Sequence, residues 1–139
     1  MFVLAKHKNY VQTLRDMTKI VKACGPLLAG FDGTGEPELS DTEVRFNGLL
    51  DDAHETFLFS SAALQKSYTK GFMFCKTACK PYNVAVVACL AVAAELLGDW
   101  LEVSSDGGPE DWEAGVKLAS LTLKRQIPNP IVPYNENED

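Results

Sequence analysis

Apolar residues at Val3, Tyr10, Leu14, Met17, Val21 and Cys24 return at helical spacing and draw one stripe along a helix expected over 4–24. Gly25-Pro26 ends it. Lys6, Lys8, Arg15, Lys19 and Lys22 fall on other faces, so the helix is amphipathic. Its stripe either packs on the chain's own core or pairs with a copy in a homodimer. Gly30, Gly33, Gly35 and Pro37 then crowd together and make 29–42 a loop. This is not a phosphate loop, because no strand precedes it and no Lys-Ser/Thr follows. Beyond it the pattern changes to period two. Glu43-Val44-Arg45-Phe46 alternates up to the turn dipeptide Asn47-Gly48. Glu55–Phe59 and Gly71–Cys75 each set two phenylalanines on one face. The competing reading is one helix from Asp41 to Tyr68, capped by Ser40 or Asp41, within an all-α bundle.

The run from Val84 to Ala94 is apolar on every side, which fits a helix over 83–97 at the centre of the core. Pro81 opens it and Gly98 closes it. Trp100–Val103 reads as a fourth strand, and Ser104–Gly108 as a turn. Pro109 starts a last helix with Trp112, Val116, Ala119 and Leu123 on its inner face and Glu110, Asp111 and Glu113 near its positive end. The order α-β-β-β-α-β-α predicts an α+β fold: a small, mostly antiparallel sheet of about four strands with helices packed on it. Residues 1–126 are expected to form one domain, followed by a Pro-rich, acidic, loose tail over 127–139.

Charge adds to this picture. The net charge is −6, which disfavours direct binding to nucleic acid or to an anionic membrane. It is also segregated: 1–30 and 60–80 are each net basic, while 31–59 holds eight acids against Arg45. Such blocks are either solvated faces or a dipolar surface for a protein partner. The longest apolar run, Val84 to Leu97, is too short to span a bilayer and contains Glu95. The N-terminus places its first lysine after the apolar residues, unlike a secretory signal. Cys24, Cys75, Cys79 and Cys89 are therefore expected as reduced thiols. The Cys75-x-x-x-Cys79 spacing is half a metal site without clear partners, so no metal and no cofactor is expected.

Chain direction suggests where unusual residues meet. Strands at 71–75 and 100–103, joined by a helical crossover, should run parallel and end at one edge. Antiparallel pairing of the earlier strands would bring their turns to the same edge. The candidate pole then holds Asn47, His54, Glu55, Lys76, Thr77, Lys80, Tyr82, Ser105 and Asp106. Ligands commonly bind beyond the carboxyl ends of parallel strands. The bland account is that turns are polar because they face water. His54-Glu55 has the residue types of a base and its orienter, but no nucleophile stands at a recognisable spacing, so no catalytic residue is assigned.

The segments Arg45-Phe46-Asn47-Gly48, His54-Glu55-Thr56-Phe57, Phe74-Cys75-Lys76-Thr77-Ala78 with Lys80-Pro81-Tyr82, and Ser104-Ser105-Asp106-Gly107 together resemble a group of small proteins of tailed bacteriophages and prophages. The resemblance covers about 44–119 and departs at Asn83, where the group tends to carry Asp. It implies a phage origin and action in the cytoplasm of a bacterial host, and it brings no activity. The expected function is an accessory protein that binds and modulates a host protein, such as a defence or nucleic-acid-processing factor. The alternatives are a small-molecule or nucleotide-binding protein or enzyme using the His54/Lys76/Asp106 pole, and a virion or assembly component.

Overall fold

The computed structural model describes residues 3–63, 71–73 (backbone only), 80–103, 105 and 107–131. The fold is α+β. Three helices, α1 (Tyr10–Cys24), α2 (Asn83–Leu97) and α3 (Glu113–Leu123), pack with a small antiparallel sheet and a separate strand pair. In the antiparallel sheet β3 (Glu43–Gly48) is central. It pairs with β1 (Leu28–Ala29), β2 (Glu38–Leu39) and β4 (Phe57–Ser60). The pair is β5 (Gly71–Met73) and β6 (Leu101–Val103), which run parallel in register Gly71↔Leu101 to Met73↔Val103.

The core is organised around α2. Ala85 through Ala93 are all buried, as are Tyr82 and Leu97. The stretch Asn83–Trp100 is apolar enough, at mean hydropathy 1.5 over 18 residues, to match a membrane-spanning length. Here it is the covered centre of the chain's own core. On one side lies α1, whose Tyr10, Leu14, Met17, Ile20 and Val21 are buried. These residues of the α1 stripe are thus packed within the chain's own core. On another side lies α3, which comes close because Gly115 faces Val87 and Ala88. The sheet contributes Val44, Phe46, Phe57 and Phe59, all fully buried. Phe46 and Phe57 are directly opposed across β3 and β4, with ring centroids 4.9 Å apart. Tyr10 joins α1 to the sheet: its ring stacks on Phe59 at 6.0 Å, and its hydroxyl donates to the Thr42 carbonyl and accepts from the Ser61 N–H.

Several expectations change in the structure. The first helix begins at Tyr10, and Leu4–Lys6 is a separate 3-10 turn. The break falls where His7 turns extended and its Nδ1 accepts the Asn9 N–H at 3.0 Å, a local bond that competes with helix continuation. The helix alternative over 41–68 is overturned, because 43–48 and 57–60 pair as strands. Asn47-Gly48 is not a turn: both residues lie in β3, opposite Ala29 and Leu28. The predicted loop 29–42 contains the second residue of β1 and all of β2, strands too short to show a period. The central helix keeps its expected bounds, Asn83–Leu97. Of the tail, the described part is packed down: Ile127 is buried, its N–H donates to Ser120 Oγ, and Asn129 Nδ2 donates to the Pro109 carbonyl. Residues 132–139 lie outside the described residues.

The α2–α3 crossing allows a direct test. A Cβ on Gly115 would sit 2.4 Å from Val87 Cγ1 and 3.0 Å from the Ala88 nitrogen. Valine is rotamerically stiff in a helix and cannot swing away. Gly115→Ala gains about 1 kcal/mol of helix propensity. The overlap at the crossing is expected to outweigh that gain, since overpacking typically costs about 1–3 kcal/mol. A net loss of up to about 2 kcal/mol should appear as a lower urea midpoint with an unchanged slope.

Candidate functional site

Part of the predicted pole does assemble, around the end of β3. Asn47 is fully buried and uses its whole side chain. Its Oδ1 accepts the N–H of Gly48 at 2.7 Å and that of His54 at 2.9 Å. Its Nδ2 donates to the His54 carbonyl and to Thr56 Oγ1, both at 3.0 Å. An amide can offer two donors and accept at one oxygen, so Asn47 is saturated. Tyr82, also buried, packs beside Gly48, where a Cβ would lie 2.9 Å from the Tyr82 ring and closer still to the Asp52 backbone. The Tyr82 hydroxyl donates to the Glu55 carbonyl at 2.6 Å. Lys80 Nζ donates to the Asp51 carbonyl at 3.3 Å. Five predicted residues (Asn47, His54, Glu55, Lys80 and Tyr82) therefore gather at one place.

The bonds they make are mostly to backbone. Asn47 and Tyr82 tie the connection between β3 and β4 to the start of α2, while the His54 and Glu55 side chains are exposed. Ser105 serves a different junction: its Oγ accepts from the Gly107 N–H at 3.1 Å and from Trp112 Nε1 at 2.9 Å, holding the turn after β6 onto the start of the last helix. The β5–β6 pair is parallel as expected, but among the described residues β4 and β5 stand in different sheets. The link meant to carry the antiparallel alternation from one polar turn to the next is therefore missing. Lys76, Thr77 and Asp106 lie outside the described residues, as do Cys75 and Cys79.

The two described cysteines sit in apolar surroundings. Burial pushes both thiols above their ordinary range, Cys89 furthest, so both are weak nucleophiles at neutral pH. No group of three or more His, Cys, Asp or Glu able to hold a metal occurs among the described residues.

A second polar cluster escaped the sequence reading. Asp16 lies on the buried side of α1, its side chain only 2% exposed. Arg125, just after α3, reaches Asp16 Oδ2 at 2.9 Å and Glu95 Oε1 at 2.8 Å through the same Nη2. Arg125 Nε adds a second bond to Glu95, and Gln12 Nε2 donates to the other Asp16 oxygen at 2.8 Å. The hydrogen bonds that Arg125 donates to Glu95 lead in holding the guanidinium charged, with Asp16 adding to them. This cluster clasps α1, α2 and the chain after α3. The available signal was a charged residue set among buried positions Thr13, Leu14, Met17 and Ile20.

A third feature is a corner of two packed 3-10 turns, Phe31–Gly33 and Leu50–Asp52. Gly33, at φ +92°, lies against Ala53, the Gly48 carbonyl and the Leu50 nitrogen, and only glycine fits there. Phe31 is 61% exposed and Leu50 65%, with Leu49 and Leu27 also exposed. Leu50 holds φ +51°, a left-handed conformation that costs a bulky side chain about 1–3 kcal/mol. Asp32, at φ +60°, bears this more easily because short polar side chains tolerate that region. The acids around the corner, Asp32, Glu36, Asp51 and Asp52, are exposed and form no ion pair among the described residues. By contrast, Arg45 is engaged by Glu38 at 3.7 Å across β2–β3 and by Glu43 at 3.1 Å, the latter a charge contact without hydrogen-bond alignment.

No protein-family model, curated protein or solved structure matches the chain.

Two sets of variants separate these polar clusters. Asn47→Ala strands two backbone N–H groups and a part-buried carbonyl, with an expected loss of about 2–4 kcal/mol, whereas Tyr82→Phe removes the bond to the Glu55 carbonyl, for about 1 kcal/mol. Chemical denaturation of both should give that order. Arg125→Ala leaves Asp16 buried without its cation and is expected to cost about 2–4 kcal/mol. Asp16→Asn in the Arg125→Ala background should recover part of that loss, because the uncompensated charge is then gone.

Proposed function

We propose that this chain works by binding another protein, in keeping with the resemblance of residues 44–119 to small phage proteins, and that the partner belongs to a bacterial host. The observation that carries this reading is the acidic block between β1 and β4. Its exposed carboxylates at Asp32, Glu36, Asp51 and Asp52 are left unpaired among the described residues and stand beside large exposed apolar side chains. Unpaired charge of one sign steers encounter with a surface of opposite sign, and exposed apolar side chains supply contact area once docked. In contrast, the Asn47 and Tyr82 side chains are committed to holding turns in place.

Such a partner carries a basic surface, as proteins that handle nucleic acid do. The chain then acts by covering that surface. Affinity capture from a bacterial lysate, followed by mass spectrometry, is expected to recover a stable complex with a protein bearing a basic face. Raising the salt concentration should weaken it, because the steering charges lie at the surface. Recovery of no specific protein, or of a complex indifferent to salt, would count against this reading.

A further inference from the structure

We infer that the corner formed by Phe31–Gly33 and Leu50–Asp52 is the docking surface, and that its occupant is a protein segment presenting an apolar side chain flanked by Lys or Arg. This rests on the protein-binding reading above and assigns it a place and a chemistry. Three independent observations meet there. Phe31, Leu49 and Leu50 are large apolar side chains left open to solvent on two turns that pack against each other. The register Leu28↔Gly48 brings Leu27, also exposed, alongside Leu49. Contiguous exposed apolar groups of this kind mark contact sites more often than isolated ones do.

The second observation is conformational. Leu50 is held at φ +51° with no side-chain hydrogen-bonding group to ease that geometry. Gly33 and Gly48 fix the two turns, since a Cβ at either would collide with Ala53 or with the Asp52 backbone. A strained residue fixed by its surroundings, with its side chain directed outward, matches the way strain gathers at binding surfaces. The rigidity also lowers the ordering needed on association.

The third observation is charge, and it selects the occupant. Asp32 follows Phe31 and Asp51 and Asp52 follow Leu50 in the chain, Glu36 lies on the same loop as Phe31, all four are exposed, and Lys80 reaches the Asp51 carbonyl. A second copy of the same corner would set like charges face to face. An anionic lipid surface or a nucleic acid would be repelled as well. A basic rim around an apolar anchor is complementary on both counts.

The full chain, used as bait against a displayed library of random peptides, provides the test. The expected winners pair an aromatic or branched aliphatic residue with Lys or Arg. Their affinity should fall about tenfold or more for the Phe31→Ser/Leu50→Gly variant, the scale of losing an interface anchor. It should also fall as salt rises. Leu50→Gly by itself relieves the left-handed backbone, so its melting temperature should equal or exceed that of the parent chain, and a weaker affinity in this single variant cannot then be blamed on misfolding. Acidic winners, absence of any winner, or winners indifferent to the double variant would overturn the assignment. Self-association that disappears in Leu50→Gly would instead identify a second copy as the occupant and overturn the chemistry proposed. A host protein captured equally by parent and double variant would leave the protein-binding reading standing while removing this corner from it.

Discussion

Everything in this fold answers to the need to cover α2. Its residues from Ala85 to Ala93 have no polar side to turn outward, so it must be enclosed from every direction. A helix that is hydrophobic all round cannot stand at a surface. That requirement draws in the stripe of α1, the close approach of α3 at Gly115, the phenylalanine face of β3 and β4, and Ile127 from beyond the last helix. The small residues Ala85, Ala88, Ala91 and Ala93 let these neighbours approach closely. In a core this dense even one added methyl group is felt.

Enclosing α2 also forces polar groups inward, and each of the three buried polar side chains among the described residues is answered. Thr13 Oγ1 donates to the Asn9 carbonyl, Asp16 takes Arg125 and Gln12, and Asn47 fills its amide with four bonds. A buried polar group without partners would cost more than the bond itself is worth. This explains why the residues that look like chemistry in the sequence behave as joinery in the structure. Asn47 and Tyr82 fasten the β3–β4 connection to the start of α2, and Ser105 fastens the last helix to the turn after β6. Among the described residues, the corner where Phe31, Leu49 and Leu50 remain uncovered is a surface left free to do something else.

How far each feature was legible depends on how local its cause is. The stripe of α1, the all-round apolar α2 and its stop at Gly98 were readable because a helix writes its period over many residues. The strands at 43–48 and 57–60 were found from alternation, with their ends displaced by two residues at Gly48 and at Phe57. At Gly48 the cause is pairing with β1, and at Phe57 it is the Asn47 side chain, which holds the backbone of His54 ahead of the next strand. The candidate pole was half legible: His54, Glu55 and Tyr82 do meet Asn47. Ser105 serves a different junction, because β4 and β5 do not share a sheet among the described residues. The corner at Phe31 and Leu50 had no signal, since a glycine-rich loop and the residues after Asn-Gly both read as ordinary turns.

The sequence alone determined the α+β class, the helix positions and the central place of α2, because hydrophobic periodicity and the hydrophobic effect act along the chain and need no partner to be read. Only the tertiary structure decided which polar side chains are spent on the fold and which apolar ones are left in water. Hydrogen-bond saturation and burial are properties of neighbours brought from far along the chain: Arg125 against Asp16, Tyr82 against Glu55, and one 3-10 turn against another.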